Sequence, residues 1–218
     1  MKKTQADYWY YRYGQVIVSC FLIVLDLTIA SGMKSKSYFW QLVMTMLSVT
    51  IIYFGLNTDL KQAKRRQQLA KLSSKVKIAT PKKIILTIII ASIIMLTPTV
   101  LMMMTGHLKA QPMTVINLLY TVILAPMLEE IIFRQYLFDS LRRFGSLIAF
   151  IVVCLLFTLI HFPSTIGMMI YLLLRAAILM MVYLICNQRV FASWSVHFAN
   201  NLLLALYCVI NAGISLTF

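Results

Sequence analysis

Acid is scarce in this sequence. Its 218 residues hold six Asp and Glu against twenty Lys and Arg. The six are Asp7, Asp26, Asp59, Glu129, Glu130 and Asp139. Glycine (7), proline (5), cysteine (4) and histidine (3) are also few, and charged residues of both signs make up only 12%. So little charge beside 61% hydrophobic residues excludes a disordered or low-complexity chain. Cys20, Cys154, Cys186 and Cys208 form no C-x-x-C and no Cys/His cluster, which excludes a disulfide framework and a thiolate metal site. They read as small apolar packing residues. There is no Gly-rich phosphate loop and no internal repeat. An ordinary soluble domain is about 45–50% apolar. The 61% here, with a mean hydropathy of +0.86, indicates an integral membrane protein.

A spanning helix needs about 20 predominantly apolar residues. Seven apolar segments meet or approach this, at roughly 14–33, 37–56, 84–105, 113–139, 146–162, 166–187 and 191–211. The expected fold is all-α: a polytopic transmembrane bundle of about seven spans forming one membrane-embedded domain over 1–218. The first segment follows Tyr8-Trp9-Tyr10-Tyr11 and has no A-x-A site behind it. It therefore reads as a retained span behind an aromatic belt rather than a signal peptide.

Basic residues set the orientation. With the N-terminus in the cytoplasm, fifteen of the twenty Lys and Arg fall inside, and only Lys34, Lys36 and Lys109 outside. Arg134 and Arg175 lie within spans. The basic excess is thus a topology signal, and nucleic acid is not an expected partner. The one long polar stretch is a basic cytoplasmic loop at about 57–83. Its run Lys61–Leu72 is rich in helix formers with spaced apolar positions. It reads either as a helix lying on anionic lipid or as a solvated loop. Pro81 marks the start of the next span.

Ionisable groups inside a membrane are costly and mark function. Segment four carries Glu129, Glu130 and Arg134 within six residues. Glu130 and Arg134 are i,i+4 with the acid first, the favourable order for an ion pair on one helix face. Glu129 points about 100° away. One carboxylate is then held and the other is free to act as a base. A purely structural Glu–Arg clamp fits the same spacing. His161 ends segment five in Phe157-Thr158-Leu159-Ile160-His161. His197 and Asn201 share a face of segment seven at i,i+4. Asn200 is adjacent, and the spacing selects Asn201. His107 falls in an outer loop and is incidental. By residue counting, His161 lies nearer the outer face than Glu129 and His197. Asp26 and Arg175 can pair across the bundle, or Arg175 can bind a substrate carboxylate.

E-E-x-x-x-R, F-x-x-x-H and H-x-x-x-N, in this order and each inside an apolar segment, resemble the CAAX-protease and bacteriocin-processing (CPBP) family. This family of intramembrane endopeptidases is also called the type II CAAX prenyl endopeptidase or ABI family. The resemblance covers about 113–205. It implies that Glu129 activates a water that His161 also binds, that His197 and Asn201 stabilise the oxyanion, and that Glu130 and Arg134 support the site. Such a set supplies what amide hydrolysis requires. The chain departs from the family's eukaryotic members in having seven segments instead of eight, and it has no soluble domain for substrate selection. Glu129, His161 and His197 could also hold zinc. The absence of H-E-x-x-H inclines the reading to metal-free water activation.

The expected activity is therefore that of a multi-pass cell-membrane endopeptidase acting on a membrane-proximal peptide or protein. Maturation of a leader, pheromone or bacteriocin peptide suits so compact a chain. Two non-protease readings compete: a non-catalytic bacteriocin immunity or scaffold protein, and a small proton-coupled transporter. The lack of repeats or paired broken helices weakens the transporter reading.

Overall fold

The structure is a computed structural model that describes residues 15–33, 38–72, 78–106 and 110–214. Tyr8–Tyr11 and His107 lie outside the described residues. Among the described residues there are seven helices and no strand; Met113 and Ile214 form a single isolated bridge. The helices are α1 (Gln15–Met33), α2 (Tyr38–Leu72), α3 (Pro81–Met104), α4 (Val115–Phe144), α5 (Ser146–Leu159), α6 (Ile166–Ile185) and α7 (Val190–Ala212). All but α5 are long and apolar enough to cross a membrane. The fold is a polytopic all-α bundle. Large apolar side chains such as Phe21, Ile93 and Leu147 are exposed on its outer faces, where lipid would meet them.

Polar residues punctuate the chain where the sequence predicts boundaries. Thr80 caps α3, its hydroxyl accepting from the N–H of Lys83, with Pro81 in the first turn. Thr114 and Thr165 cap α4 and α6 in the same way. Gly145 breaks the chain between α4 and α5 at φ 124°, a conformation that only glycine adopts without strain.

Of the two readings of the stretch from 57 to 72, the loop does not hold, and the helix is not a separate one. The stretch is helical and continues the span directly, so α2 runs for 35 residues, roughly 52 Å at 1.5 Å per residue. No Gly or Pro interrupts the chain after Gly55, and Lys, Gln, Ala, Arg and Leu are all good helix formers. The extension is anchored at its far end. Arg66 Nη1 donates to the carbonyls of Asn187 (2.6 Å) and Gln188 (2.9 Å), two residues with positive φ in the α6–α7 turn. Asn187 in turn bonds the backbone of Ala79 through both ends of its amide.

The core gathers around α4. Leu128, Ile131, Ile132, Phe133, Leu137 and Phe138 are all buried, and a helix apolar all round belongs inside a bundle. Gly55 of α2 lets another helix approach it closely. A Cβ on Gly55 would stand 2.6 Å from Ile131 Cγ2, and the Gly55 carbonyl accepts from Gln135 Nε2 at 3.1 Å. Gly55→Ala should therefore overpack this crossing and cost about 1–3 kcal/mol. A lowered thermal midpoint in detergent checks this; an unchanged midpoint would show that the helices are not in contact there.

Candidate active site

α4 is not a uniform α-helix. The α-helical turn and a half Ala125–Glu130 lies between two π-helical stretches, Tyr120–Leu124 and Ile131–Phe138. π turns widen the helix and recur at functional sites. Pro126, which has no N–H to give to the preceding turn, falls where the first of them ends. The two glutamates thus sit on a short α segment whose register is reset on both sides.

Glu130 and Arg134 are fully buried, with Arg134 Nε 3.1 Å from Glu130 Oε2. This is a Coulombic pair whose N–H is not aimed along the line, since neither atom has a hydrogen-bond partner among the described residues. Arg134 Cζ also lies 4.7 Å from the centre of the Phe157 ring, a cation–π contact. Glu130 has a second partner that its spacing alone did not reveal. Its Oε1 accepts from His197 Nδ1 at 2.9 Å. The acid therefore ties α4 to α7 as well as holding Arg134.

Glu129 points elsewhere, as its position predicts. Its Oε2 lies 3.6 Å from His197 Nε2 and 4.0 Å from His161 Nε2. His161 Nδ1 is bonded to the Phe157 carbonyl at 2.7 Å. A carbonyl and a carboxylate can only accept, so both neutral imidazoles carry their proton on Nδ1. Both then present an Nε2 lone pair towards one Glu129 oxygen. The three groups surround a point that a water molecule, with two O–H donors, is suited to occupy.

Residue counting set His161 apart from the other two. The short α5 brings it back. With 14 residues the helix is roughly 21 Å long, and it ends at Leu159. His161 follows in the turn beyond it. Phe157 has no role that the motif spacing implies; in the fold it is the hub. Its ring packs on His161 (4.6 Å between centres), Phe133 (5.3 Å) and His197 (6.1 Å), and its carbonyl orients His161.

The two asparagines of α7 face different neighbours. Asn200 is fully buried, with its Oδ1 accepting from Thr99 of α3 at 2.5 Å. Asn201 turns towards α4. Its Nδ2 donates to the Thr121 carbonyl at 2.9 Å, and its Oδ1 accepts from Arg175 Nη2. The structure therefore brings Glu129, His161 and His197 together directly. Asn201 lies one turn further along α7, against the first π stretch. Arg175 does not pair with Asp26; it fixes the Asn201 amide instead. Its Nε is buried without a partner. Asp26, a buried residue of α1, lies within electrostatic reach of Glu129 and Tyr120, making it a third carboxylate beside the site.

Glu129, His161 and His197 have the donor types of a zinc site, and both imidazoles are anchored through Nδ1 as metal ligands often are. Yet among the described residues no three His, Cys, Asp or Glu side chains are disposed to hold a metal ion.

A family model described as Type II CAAX prenyl endopeptidase Rce1-like matches residues 111–203. That range contains Glu129, Glu130, Arg134, His161, His197 and Asn201, and it is the family that the ordered motifs resemble. No curated protein and no solved structure matches the chain. Residues 111–203, a little under half of the chain, are therefore similar to the type II CAAX prenyl endopeptidases, and six helices of the chain are long and apolar enough to cross a membrane.

Proposed function

From this family match and the meeting of Glu129, His161 and His197, we propose that the protein is an intramembrane endopeptidase of the cell membrane, with its N-terminus in the cytoplasm. It would hydrolyse a peptide bond in a membrane-proximal peptide or protein, with leader, pheromone or bacteriocin peptides as the substrate class. The convergence of two imidazole Nε2 atoms on one Glu129 oxygen carries the reading. A water held between Glu129 and His161 gives a proton to the Glu129 carboxylate, and its oxygen bonds to the substrate carbonyl carbon. The oxyanion so formed accepts from Asn201 Nδ2. His197 could add a donor only as imidazolium, because its Nδ1 proton is taken by Glu130. Collapse of the intermediate breaks the C–N bond, and the proton on Glu129 passes to the leaving amine. This uses only residues of the chain and water.

Substrate can approach within the bilayer. An apolar cleft of about 500 Å³ opens between α2 and the start of α4, lined by Leu42, Thr45, Leu119, Tyr120 and Ile123 among others. Tyr120 connects it to the surroundings of Glu129. An extended peptide with an apolar flank fits such a cleft.

Cleavage of membrane-anchored peptides by the purified protein in proteoliposomes tests the proposal, with one oxygen from labelled water expected in the new carboxylate. Asn201→Asp keeps an oxygen for Arg175 and removes the Nδ2 donor, so turnover should fall about 10²–10³-fold, with a smaller loss of stability, about 1–3 kcal/mol, from the Thr121 carbonyl left without its donor. No cleavage of any peptide by the wild type, with host protection intact, would favour the immunity or scaffold reading. Full activity in Asn201→Asp would remove Asn201 from the mechanism.

A further inference from the structure

A second polar cavity lies away from the three groups around Glu129, where α2 and α4 leave their apolar stretches at the same end of the bundle. It measures about 370 Å³, and every residue that lines it is polar or charged: Gln62, Arg65, Arg66, Asp139 and Arg142. Three arginines and one aspartate line it, and Arg66 and Arg142 are the two whose charge reaches the Asp139 carboxylate. Arg66 is fixed by the carbonyls of Asn187 and Gln188 and by Gln62 Oε1 at 3.1 Å, so it is a rigid wall and a structural staple. Arg65 is exposed and bonds to no other described residue. Arg142 Nη1 stands 3.7 Å from Asp139 Oδ1, too far for a hydrogen bond. Asp139 Oδ1 is itself buried with no hydrogen-bond partner among the described residues, while the carboxylate as a whole lies beside Gln62, Arg66 and Arg142. The cavity thus offers two under-used cations and one acceptor lacking a donor, and buried polar atoms of this kind call for a partner.

We propose that this cavity binds the phosphoryl group of an anionic phospholipid, with phosphatidylglycerol as the best fit. Guanidinium groups recognise phosphoryl oxygens with paired N–H donors, so Arg65 and Arg142 take the phosphate. A glycerol hydroxyl beside it donates to Asp139 Oδ1. The position supports a lipid source over a free anion, because the apolar run of α2 ends at Leu56, under two turns before Gln62, and Asp139 directly follows Tyr136-Leu137-Phe138, which sets both segments just beyond the apolar stretches, where headgroups lie. The exposed lysines Lys61 and Lys64 flank the cavity without lining it. They add only a diffuse attraction.

Native mass spectrometry of the full chain in detergent, titrated with defined lipids, tests the site. The wild type should retain phosphatidylglycerol over phosphatidylcholine by about tenfold or more, the scale of one charge-assisted hydrogen bond. R65Q/R142Q should lose that preference. Both side chains are exposed and neither holds the fold, while the staple Arg66 is left alone. K61Q/K64Q should keep the preference. D139N should keep phosphatidylglycerol but discriminate less against phosphatidic acid, which lacks the hydroxyls. Equal losses in R65Q/R142Q and K61Q/K64Q would overturn the site in favour of a general surface field. An unchanged preference in R65Q/R142Q would overturn it outright. Displacement of the lipid by equimolar inorganic phosphate would overturn the lipid source. None of these outcomes depends on protease activity.

Discussion

Glu129→Gln is expected to reduce peptide cleavage by about 10²–10⁴-fold, the range of a lost general base. Glutamine preserves the volume and one oxygen but cannot take the proton from water. The substitution should leave the fold intact, because Glu129 makes no ion pair with Arg134; its close partners are the Nε2 atoms of His161 and His197, at 4.0 and 3.6 Å. Turnover in proteoliposomes and the thermal midpoint in detergent should therefore separate, the first collapsing and the second holding. Cleavage within a few-fold of the wild type would end the role proposed for Glu129, whatever the geometry. A fall in both would make it a structural acid.

The reverse pattern is expected at Arg134. Its guanidinium and the Glu130 carboxylate are both fully buried, and removing one partner of such a pair costs about 3–5 kcal/mol because the other charge is stranded. Arg134→Met should therefore unfold the protein at markedly lower temperature and cut activity with it, since Glu130 also orients His197. The double substitution E130Q/R134M should recover part of the stability of R134M, because no uncompensated carboxylate remains. It should not recover turnover, because the acceptor that holds the His197 Nδ1 proton is weakened. Unfolding curves for the single and double variants check this. A double variant no more stable than R134M would show that the buried pair is not the source of the loss.

The polar residues at the site could be picked out in the sequence because apolar surroundings make each of them conspicuous. Glu129, His161, His197 and Asn201 needed no structure to be nominated, since an ionisable or amide group in a span must find a partner. Who partners whom was less legible. For Arg175 the sequence offers Asp26 or a substrate carboxylate, and its actual partner, Asn201, depends on helix rotation, which apolar patterning barely constrains when every face is apolar. The second bond of Glu130, to His197, was missed for the same reason. The π stretches of α4 were hidden because reading i,i+4 contacts presumes 3.6 residues per turn throughout. The extension of α2 leaves helix and loop both open in the sequence, because charge density separates solvated loop from solvated helix poorly. Its anchor, Arg66 to the 187–188 turn, joins residues more than a hundred positions apart. The number and order of the helices, by contrast, followed from the apolar runs.

The shortness of α5 has a consequence in bilayer mechanics. A helix of roughly 21 Å cannot match a hydrocarbon layer of about 30 Å, so the lipid beside it must thin or the turn after it must sit below the surface. That turn carries His161. The dent that relieves the mismatch would be the path by which water reaches a peptide bond in an otherwise dry slab. Acyl-chain length then becomes a control on hydrolysis, with thicker membranes closing over the turn and thinner ones leaving it wet.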